Sequence, residues 1–327
     1  MFAVVALLFV NYALVQSRDY LYYNLEDAEL NFEDFIITYD KQYKSELEKF
    51  ERLLIFVVNL MEYNKKNKES RDAVYGITKF SDLTQEEFLA YHTGLKGSLG
   101  GIPCTLSVSE ANSSILAPDS FDWRTKNVVS RVKNQKRCGS CWAFGATGAV
   151  ESQYAIKYNT LQELSNQQLV DCDKRSEGCQ NLLSNSYLIE NGAMLEKDYP
   201  YKAREENCKY DRSKVKVKLE GCRNLQVNKN EEKLKQLLHQ YGPATIALDA
   251  SGLQGYQSGI ITSPQCDARA INHAVLLVGY GSENGVPYWT VKNSWAENWG
   301  ERGYVRIQRG IDCMSMTAAS PVQAIVA

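Results

Sequence analysis

Cys141 is the residue of this chain whose surroundings most clearly favour chemistry. It lies in the run Gln135–Phe144 (QKRCGSCWAF) and is followed by Trp142 and a segment of small and apolar residues that is typical of a buried helix. The unsatisfied N–H groups and the dipole of a helix N-terminus stabilise a thiolate and lower the pKa of a cysteine. We therefore predict that Cys141 is a nucleophile with a lowered pKa.

Cys138 allows a second interpretation of the same motif. With Cys141 it forms a Cys-x-x-Cys pair, which also occurs in thiol–disulfide oxidoreductases and as half of a zinc site. The motif by itself leaves these interpretations open.

A cysteine that cleaves peptide bonds needs a base for the thiol proton and a group that orients that base. The chain has three histidines. His92 lies in a polar stretch, and His239 ends the helical pattern of Glu231–Tyr241, where a histidine commonly serves the helix end. His273 instead opens an apolar strand, which is unusual for a titratable residue, so we predict that it is the base.

Asn293 follows His273 by twenty residues, in another strand-like run. An amide there can hold the imidazole in one tautomer without adding a negative charge. Cysteine, histidine and asparagine thus occur in the order and separation expected of a thiol protease.

With these residues the chain resembles the papain family of cysteine proteases, from about residue 31 to the C-terminus. The cysteine signature with a downstream histidine and asparagine is a mark of that family. The matching segments are Phe121–Arg124, Gln135, Cys138–Trp142, Leu164–Ser165, Asp171–Cys172, Tyr199–Tyr201, Asn272–Val275, Gly279–Gly281, Asn293–Trp295 and Trp299–Glu301. Within the family, Glu151–Lys157, Asn272–Gly279 and the extra Cys104 and Cys222 resemble the cathepsins that baculoviruses encode.

The resemblance also implies how the nine cysteines are used. A secreted protein is expected to oxidise its cysteines, and the implied pairs are Cys138–Cys179, Cys172–Cys208 and Cys266–Cys313. Cys141 is then left free, which argues against the redox interpretation because Cys138 already has a partner. Cys104 and Cys222 either pair with each other or remain separate free thiols.

Further roles follow from the resemblance. The side chain of Gln135 and the backbone N–H of Cys141 would form the oxyanion hole. Ala247, Ile271 and Ala318 would line the pocket for the second residue before the scissile bond, so an apolar side chain is expected there.

One segment departs from the family. Asn181 and Leu182 stand where the family usually has Gly-Gly, and we count Leu182 among the substrate-binding residues. A side chain at either position could narrow the groove or alter the backbone geometry. A catalytically impaired homologue that acts as a binding protein is therefore an alternative function.

The N-terminus has the pattern of a secretory signal, which we place at residues 1–17. Phe2–Val10 is apolar and Val15–Ser17 offers small residues for cleavage. The apolar run is too short to favour a membrane span. A glycosylation sequon at Asn112 fits the secretory pathway, and the expected destination is a lysosome-like compartment or the exterior.

Residues 18–116 differ from the rest in being charged and helical, without strand runs. Six residues share one face of a predicted helix, and they match the inhibitory propeptide of cathepsin L-type enzymes: Glu48, Arg52, Phe56, Asn59, Tyr63 and Asn67. The motif Gly76-x-Thr78-x-Phe80-x-Asp82 follows, so the resemblance implies a zymogen with its peptidase domain at residues 117–327.

The predicted fold class is α+β, with a helical subdomain and a β-barrel-like subdomain facing across a cleft. Residues 118–225 carry helical patterns, led by a helix from Cys141 to about Tyr158. Residues 226–327 are rich in strands, predicted at Thr245–Leu248, Ala274–Tyr280, Pro287–Lys292 and Gly303–Gln308.

These features predict a secreted cysteine endopeptidase, a monomer that acts on proteins and peptides and is inhibited by its own propeptide. The resemblance implies degradation of host tissue proteins late in viral infection, and binding of cystatin-like inhibitors. The net charge of −2 offers no basic surface for nucleic acid, and no metal or cofactor is predicted.

Overall fold

The computed structural model describes residues 20–95, 104–176, 178–179 and 186–327. Its helices in these ranges are α1 (Ala28–Thr38), α2 (Glu46–Glu69), α3 (Gln85–His92), α4 (Cys141–Tyr158), α5 (Asn166–Cys172), α6 (Ser186–Asn191) and α7 (Glu231–Tyr241), with short 3₁₀ turns at Leu25–Asp27, Trp123–Lys126, Arg212–Lys214 and Cys313–Ser315. The proposed signal at residues 1–17 lies outside the described residues. Within them, no helix is long and apolar enough to cross a membrane.

The strands in the first half of the chain have two or three residues, and the longer strands all lie in the second half. They are β1 (Val74–Tyr75), β2 (Leu106–Val108), β3 (Phe121–Asp122), β4 (Ala193–Met194), β5 (Val215–Val217), β6 (Leu219–Leu225), β7 (Ala244–Leu248), β8 (Tyr256–Ser258), β9 (Ile260–Ile261), β10 (His273–Glu283), β11 (Val286–Lys292), β12 (Tyr304–Gln308) and β13 (Val322–Val326). The predicted helix from Cys141 and the four predicted strands are present, with ends shifted by at most three residues.

The N-terminal region is a small helical domain built on α2. Ser45 caps the helix by accepting a hydrogen bond from the backbone N–H of Glu48 at 3.2 Å. Phe32 and Phe35 of α1 pack against Phe56 of α2 with tilted rings, whose centroids are 5.3 and 5.2 Å away. This aromatic cluster is continuous with the core of the peptidase domain.

The predicted face of α2 holds the N-terminal domain together. Arg52 makes a bidentate ion pair with Glu87 of α3 at 2.6 and 2.8 Å, and the Asn59 amide donates to the carbonyl groups of Ser81 and Leu83. Asn67 exchanges two hydrogen bonds with the backbone of Tyr75. The mixed polar and aromatic pattern of this face thus reflects contacts within the propeptide.

The peptidase domain has a helical half around α4 and a half formed by a large sheet. The sheet order is β2–β6–β13–β7–β10–β11–β12–β9, with β3 paired to β10. Helix α4 packs closely on this sheet because it presents glycines to it: a Cβ at Gly145 would lie 2.6 Å from Cγ2 of Thr245. Both halves therefore meet along the helix that begins at Cys141.

Two expectations about the distribution of strands are wrong. The propeptide region contains β1, which pairs with β8, and β2, which pairs with β6, whereas no strands were predicted there. Strands β3 and β6 belong to the large sheet although they lie in the interval predicted to be helical. Strands β1, β2 and β3 have only two or three residues, and β6 lies between the edge strand β2 and β13, so distant partners rather than a local pattern specify these strands.

Candidate active site

Cys141 is the first residue of α4, as predicted, and its side chain is fully buried. Among the described residues, which include all nine cysteines, it is the free one. Cys138 is bonded to Cys179, so Cys138 and Cys141 do not form a dithiol pair. The redox interpretation of the motif needs such a pair.

The lowered pKa predicted for Cys141 is not what the precursor has. Burial raises the pKa of this thiol to about 12, and nearby backbone groups of Ala274, Trp142 and Leu95 oppose the shift only in part. The cost of removing water from a thiolate is therefore larger than the stabilisation that the helix N-terminus gives it. Cys141 is a neutral thiol while the propeptide covers it.

His273 opens β10 and Asn293 directly follows the neighbouring strand β11, so strand pairing brings them together. The His273 Nε2 and Asn293 Oδ1 atoms are 2.8 Å apart. The indole of Trp295 stacks on the imidazole with 4.8 Å between ring centroids, which shields this contact from solvent. The second ring nitrogen, Nδ1, is buried and has no hydrogen-bond partner.

The charge state of His273 also depends on burial. Desolvation lowers its pKa to about 4, although the hydrogen bond to Asn293 favours the charged form. The imidazole is therefore neutral at physiological pH, as is the thiol of Cys141. The covered site holds a thiol and an imidazole rather than an ion pair.

Gln135 is buried beside these residues and its amide is held from both ends. Its Nε2 donates to the carbonyl oxygen of Cys138 at 3.0 Å, and its Oε1 accepts from the hydroxyl of Ser294 at 2.6 Å. One Nε2 hydrogen is left for another acceptor. Ser294, for which the sequence predicted no role, thus fixes the orientation of this donor.

The propeptide passes directly over the site. The backbone N–H groups of Gly94 and Leu95 both donate to the carbonyl oxygen of Asn272, at 3.0 and 2.9 Å. Gly94 lies so close to the backbone of Gly139 that a Cβ would overlap its carbonyl oxygen. Leu95 belongs to the same apolar cluster as Cys141. No sequence signal marks Gly94, Leu95 and Asn272 as contacts of this kind, because backbone groups make their hydrogen bonds.

The second propeptide motif docks on the peptidase domain near Trp295. Phe80 and Phe88 meet the indole edge-on, with centroids 5.4 and 5.2 Å away. Thr78 donates to the carbonyl oxygen of Gln254 at 2.7 Å, and the Gln254 amide donates back to the carbonyl of Phe80 at 2.9 Å. These contacts anchor the segment that leads to Gly94.

The other two histidines have different surroundings. His92 ends α3 and is buried against Phe80, and its backbone carbonyl accepts from the Trp295 indole N–H at 2.8 Å. Its pKa is lowered to about 3, first by burial and then by the charge of Lys79. His239 packs edge-on against Phe121 near the end of α7.

The residues expected to contact substrate are only partly brought together. Ala247 and Ile271 lie in the apolar cluster of Cys141, whereas Ala318 is exposed and Ala319 contacts that cluster instead. Leu182, with Asn181, lies outside the described residues, so the Gly-Gly departure remains an expectation from the sequence.

The disulfides follow the pairs that the resemblance implies. Cys172 is bonded to Cys208 and Cys266 to Cys313, in addition to Cys138–Cys179. The question left open about Cys104 and Cys222 has an answer in the structure, where these two cysteines are bonded to each other. The reason is that β2 lies next to β6, which brings residues that are 118 positions apart in the sequence into contact.

Comparison with known families identifies the class of protein. Residues 117–325 match the papain family cysteine protease model, and residues 32–88 match the cathepsin propeptide inhibitor domain. The chain belongs to the papain family, and it is the zymogen of a cysteine protease that hydrolyses peptide bonds.

Relatives of this chain include viral cathepsins of two nuclear polyhedrosis viruses. The chain is 46% identical over 299 residues to the viral cathepsin of Mamestra configurata nucleopolyhedrovirus, covering 90% of this chain and 88% of the relative. It is 45% identical over 311 residues to the viral cathepsin of Spodoptera exigua nuclear polyhedrosis virus, covering 94% and 91%.

Solved precursors share the fold. Digestive procathepsin L 3 of Tenebrio molitor superposes with a TM-score of 0.81 at 35% identity, covering 91% of this chain and 99% of that one. The recombinant stem bromelain precursor has a TM-score of 0.80 at 34% identity, covering 91% and 98%.

Proposed function

We propose that Cys141, His273 and Asn293 carry out the peptide hydrolysis of this enzyme. When the propeptide leaves, water reaches the site, and the desolvation penalty that keeps Cys141 and His273 neutral becomes smaller. The proton of the Cys141 thiol then passes to His273 Nδ1, the ring nitrogen that makes no other hydrogen bond. Asn293 holds the opposite nitrogen and so fixes the orientation of the ring.

The reaction then proceeds through an acyl-enzyme. The Cys141 thiolate attacks the scissile carbonyl carbon, and His273 gives its proton to the departing amine. A water molecule next attacks the thioester, losing a proton to His273, and the carboxylic acid product leaves. The C–S bond of the intermediate breaks as the product leaves, which restores the Cys141 thiolate beside the protonated His273.

The oxyanion that forms in both steps needs two donors. The free Nε2 hydrogen of Gln135 and the backbone N–H of Cys141 are proposed to supply them. Because Ser294 and the Cys138 carbonyl hold the Gln135 amide in place, this donor needs no reorganisation during the reaction. Removing one such donor typically lowers kcat about 10²–10³-fold.

Substrate preference is proposed to be for an apolar side chain two residues before the scissile bond. Ala247 and Ile271 near Cys141 are uncharged and apolar, which supports this choice. Ala318 and Leu182 are kept as further contacts of the bound peptide.

The biological setting is proposed from the relatives. Two relatives that are 46% and 45% identical to this chain are viral cathepsins, so we propose that this enzyme enters the secretory pathway through residues 1–17 and degrades host tissue proteins late in infection. It would act as a monomer in a lysosome-like compartment or outside the cell, be open to cystatin-like inhibitors, and carry a glycan at Asn112. The maturation cut is proposed near Ala117.

The observation that carries the proposal is a free, buried Cys141 whose thiol lies against the backbone of propeptide Leu95 and of Ala274, the residue after His273 in the His273–Asn293 pair. The test is to acidify the purified precursor and follow its mass together with cleavage of a fluorogenic dipeptide amide. The precursor should lose its propeptide and gain activity, whereas Cys141→Ala should fold and be secreted normally but hydrolyse nothing.

A Cys222→Ala variant that loses activity while Cys141→Ala retains it would contradict the assignment of the nucleophile. A processed wild-type protein with no turnover would instead favour the binding-protein alternative.

A further inference from the structure

The segment that leads from the propeptide to the peptidase domain is attached to that domain covalently. Cys104 lies on the propeptide side of the proposed cut near Ala117, whereas Cys222 is fully buried in β6 of the peptidase domain. The disulfide between them therefore links the two sides of the cut.

Noncovalent contacts hold the same segment in place. Strand β2 runs parallel to β6, with Leu106 opposite Arg223 and Val108 opposite Leu225. The backbone N–H of Gln226 donates to the Val108 carbonyl at 2.8 Å. Strand β2 thus extends the large sheet and covers the edge of β6.

The chain beyond β2 is anchored at points but open between them. The backbone N–H of Asn112 donates to Gln240 at 2.8 Å, and that of Ala117 donates to Gln236 at 3.0 Å. Between these anchors, the side chains of Ile115 and Leu116 are 42% and 80% exposed. A protease can therefore reach the segment between Cys104 and the peptidase domain.

We propose that a cut near Ala117 leaves the propeptide covalently attached to the enzyme through Cys104–Cys222, and that activation requires a second break in this connection. The inhibitory consequence rests on the proposed function of the active site. The covalent consequence does not depend on it.

The attached propeptide continues to inhibit because it cannot diffuse away. Gly94 and Leu95 are bound over the active site, and eight residues, 96–103, separate them from Cys104. A short connection converts rebinding into an intramolecular step with an effective concentration of about 1 mM. A released propeptide would instead be diluted into the surrounding solution.

Two reactions can provide the second break. Hydrolysis of a peptide bond on the N-terminal side of Cys104 consumes one water and leaves a carboxylate and an amine. Alternatively, a thiol reductant supplies two electrons and two protons to Cys104–Cys222, which becomes two thiols while the reductant becomes a disulfide.

The hydrolytic route leaves residues from Cys104 to the first cut as a short second chain. This chain would keep β2 on the edge of β6, which would otherwise expose unpaired N–H and C=O groups. The mature enzyme would then be a two-chain molecule whose smaller chain carries Asn112.

The covalent part is tested on the Cys141→Ala precursor, which is cut by brief exposure to subtilisin and does not need its own activity. The digest is denatured, its free thiols are alkylated, and its intact mass is measured with and without reduction. We expect an N-terminal fragment containing Cys104 to remain on the peptidase chain until reduction. The control is Cys104→Ser/Cys222→Ser, which should release that fragment without reduction.

Two results for the precursor that keeps Cys104 and Cys222 would overturn the proposal. One is separation of the fragment without reductant, and the other is alkylation of both Cys104 and Cys222 in the unreduced protein. This comparison of reduced and unreduced protein stands even if the double variant fails to fold.

The inhibitory part is tested on the precursor with an intact Cys141, cut once and diluted to nanomolar concentration without reductant. Dipeptide amide turnover should be at least about tenfold lower than for Cys104→Ser/Cys222→Ser cut to the same extent. If the two cut proteins had equal turnover while the fragment was still attached to the first, the attached propeptide would not inhibit, and this part of the proposal would be overturned. A lack of turnover in both proteins after reduction and second cleavage would overturn the proposed function instead.

Discussion

At the scale of single residues, burial decides the charge of the proposed catalytic pair. Cys141 and His273 are each fully buried in the precursor, and the pKa of the thiol is raised while that of the imidazole is lowered. Both shifts favour the neutral forms. The propeptide therefore blocks substrate and also keeps the nucleophile protonated.

The roles proposed for His273 and Asn293 predict different losses. His273→Ala should lower kcat/KM by at least about 10²–10⁴-fold, because proton transfer to and from the reacting groups is lost. Asn293→Ala should leave measurable turnover, because the imidazole can still reach the proton without its orienting partner. Dipeptide amide hydrolysis by the processed variants measures both.

His239→Ala is the matched control, since this ring packs on Phe121 rather than beside Asn293. Inactivation by His239→Ala together with full activity of His273→Ala would show that the base has been misassigned.

At the scale of elements, the propeptide depends on contacts between α2 and α3. The Arg52–Glu87 pair is bidentate, and its side chains are only 22% and 29% exposed. On the same helix, Lys49 pairs with Glu33 at 2.7 Å, but these side chains are 35% and 56% exposed. The two ion pairs thus differ mainly in solvent exposure and geometry.

This difference predicts unequal effects on propeptide stability. Arg52→Ala should destabilise the propeptide by about 1 kcal/mol, because it breaks a bidentate pair and leaves Glu87 without its partner. Lys49→Ala should have a smaller effect, because solvent screens this exposed ion pair. Both are made in the Cys141→Ala precursor, and the measurement is the urea concentration at which trypsin digests the propeptide.

Equal midpoints for the two variants would contradict a stabilising role of the Arg52–Glu87 pair.

At the scale of the whole molecule, acid should release the propeptide, and His92 contributes to this response. Burial lowers its pKa to about 3, and Lys79, Arg137 and Lys41 add to the shift, whereas the backbone of Lys136 opposes it. An exposed histidine has a pKa of about 6.5, so between these values the released state binds the extra proton. Docking is therefore unaffected above pH of about 6.5 and weakens as pH falls towards 3.

Protonation of Glu87 also destabilises the propeptide as pH falls, but at a lower pH than protonation of His92. The hydrogen bond from Arg52 lowers the pKa of this carboxyl group in the folded propeptide. Its stabilising effect is present above the unfolded pKa of about 4.3 and is lost as pH falls through the folded value. Acid therefore weakens the propeptide through His92 at higher pH and through Glu87 at lower pH.

His92→Phe should move the pH of half-maximal activation of the precursor downwards, by up to about one unit. Phenylalanine can keep the contact with Phe80 but takes up no proton. The variant therefore lacks the loss of docking free energy that His92 protonation causes, which is up to about 1.4 kcal/mol per pH unit. The measurement is initial activation rate against pH, with His239→Gln as the control. An unchanged or higher activation pH for His92→Phe would contradict this mechanism.

Local patterns were sufficient to predict the elements that carry the site. The start of α4 at Cys141, the strand opened by His273 and the shared face of α2 each depend on residues close together in the chain. Periodicity and terminal residues specify such elements because the interactions that define them span only a few positions.

The tertiary structure decided what depends on distant partners. The neutral state of Cys141 comes from desolvation under Leu95, the passage of Gly94 over the site comes from its hydrogen bond to Asn272, and the Cys104–Cys222 bond comes from the pairing of β2 with β6. A local pattern cannot contain these features, because burial and long-range pairing arise only when segments far apart in sequence pack together.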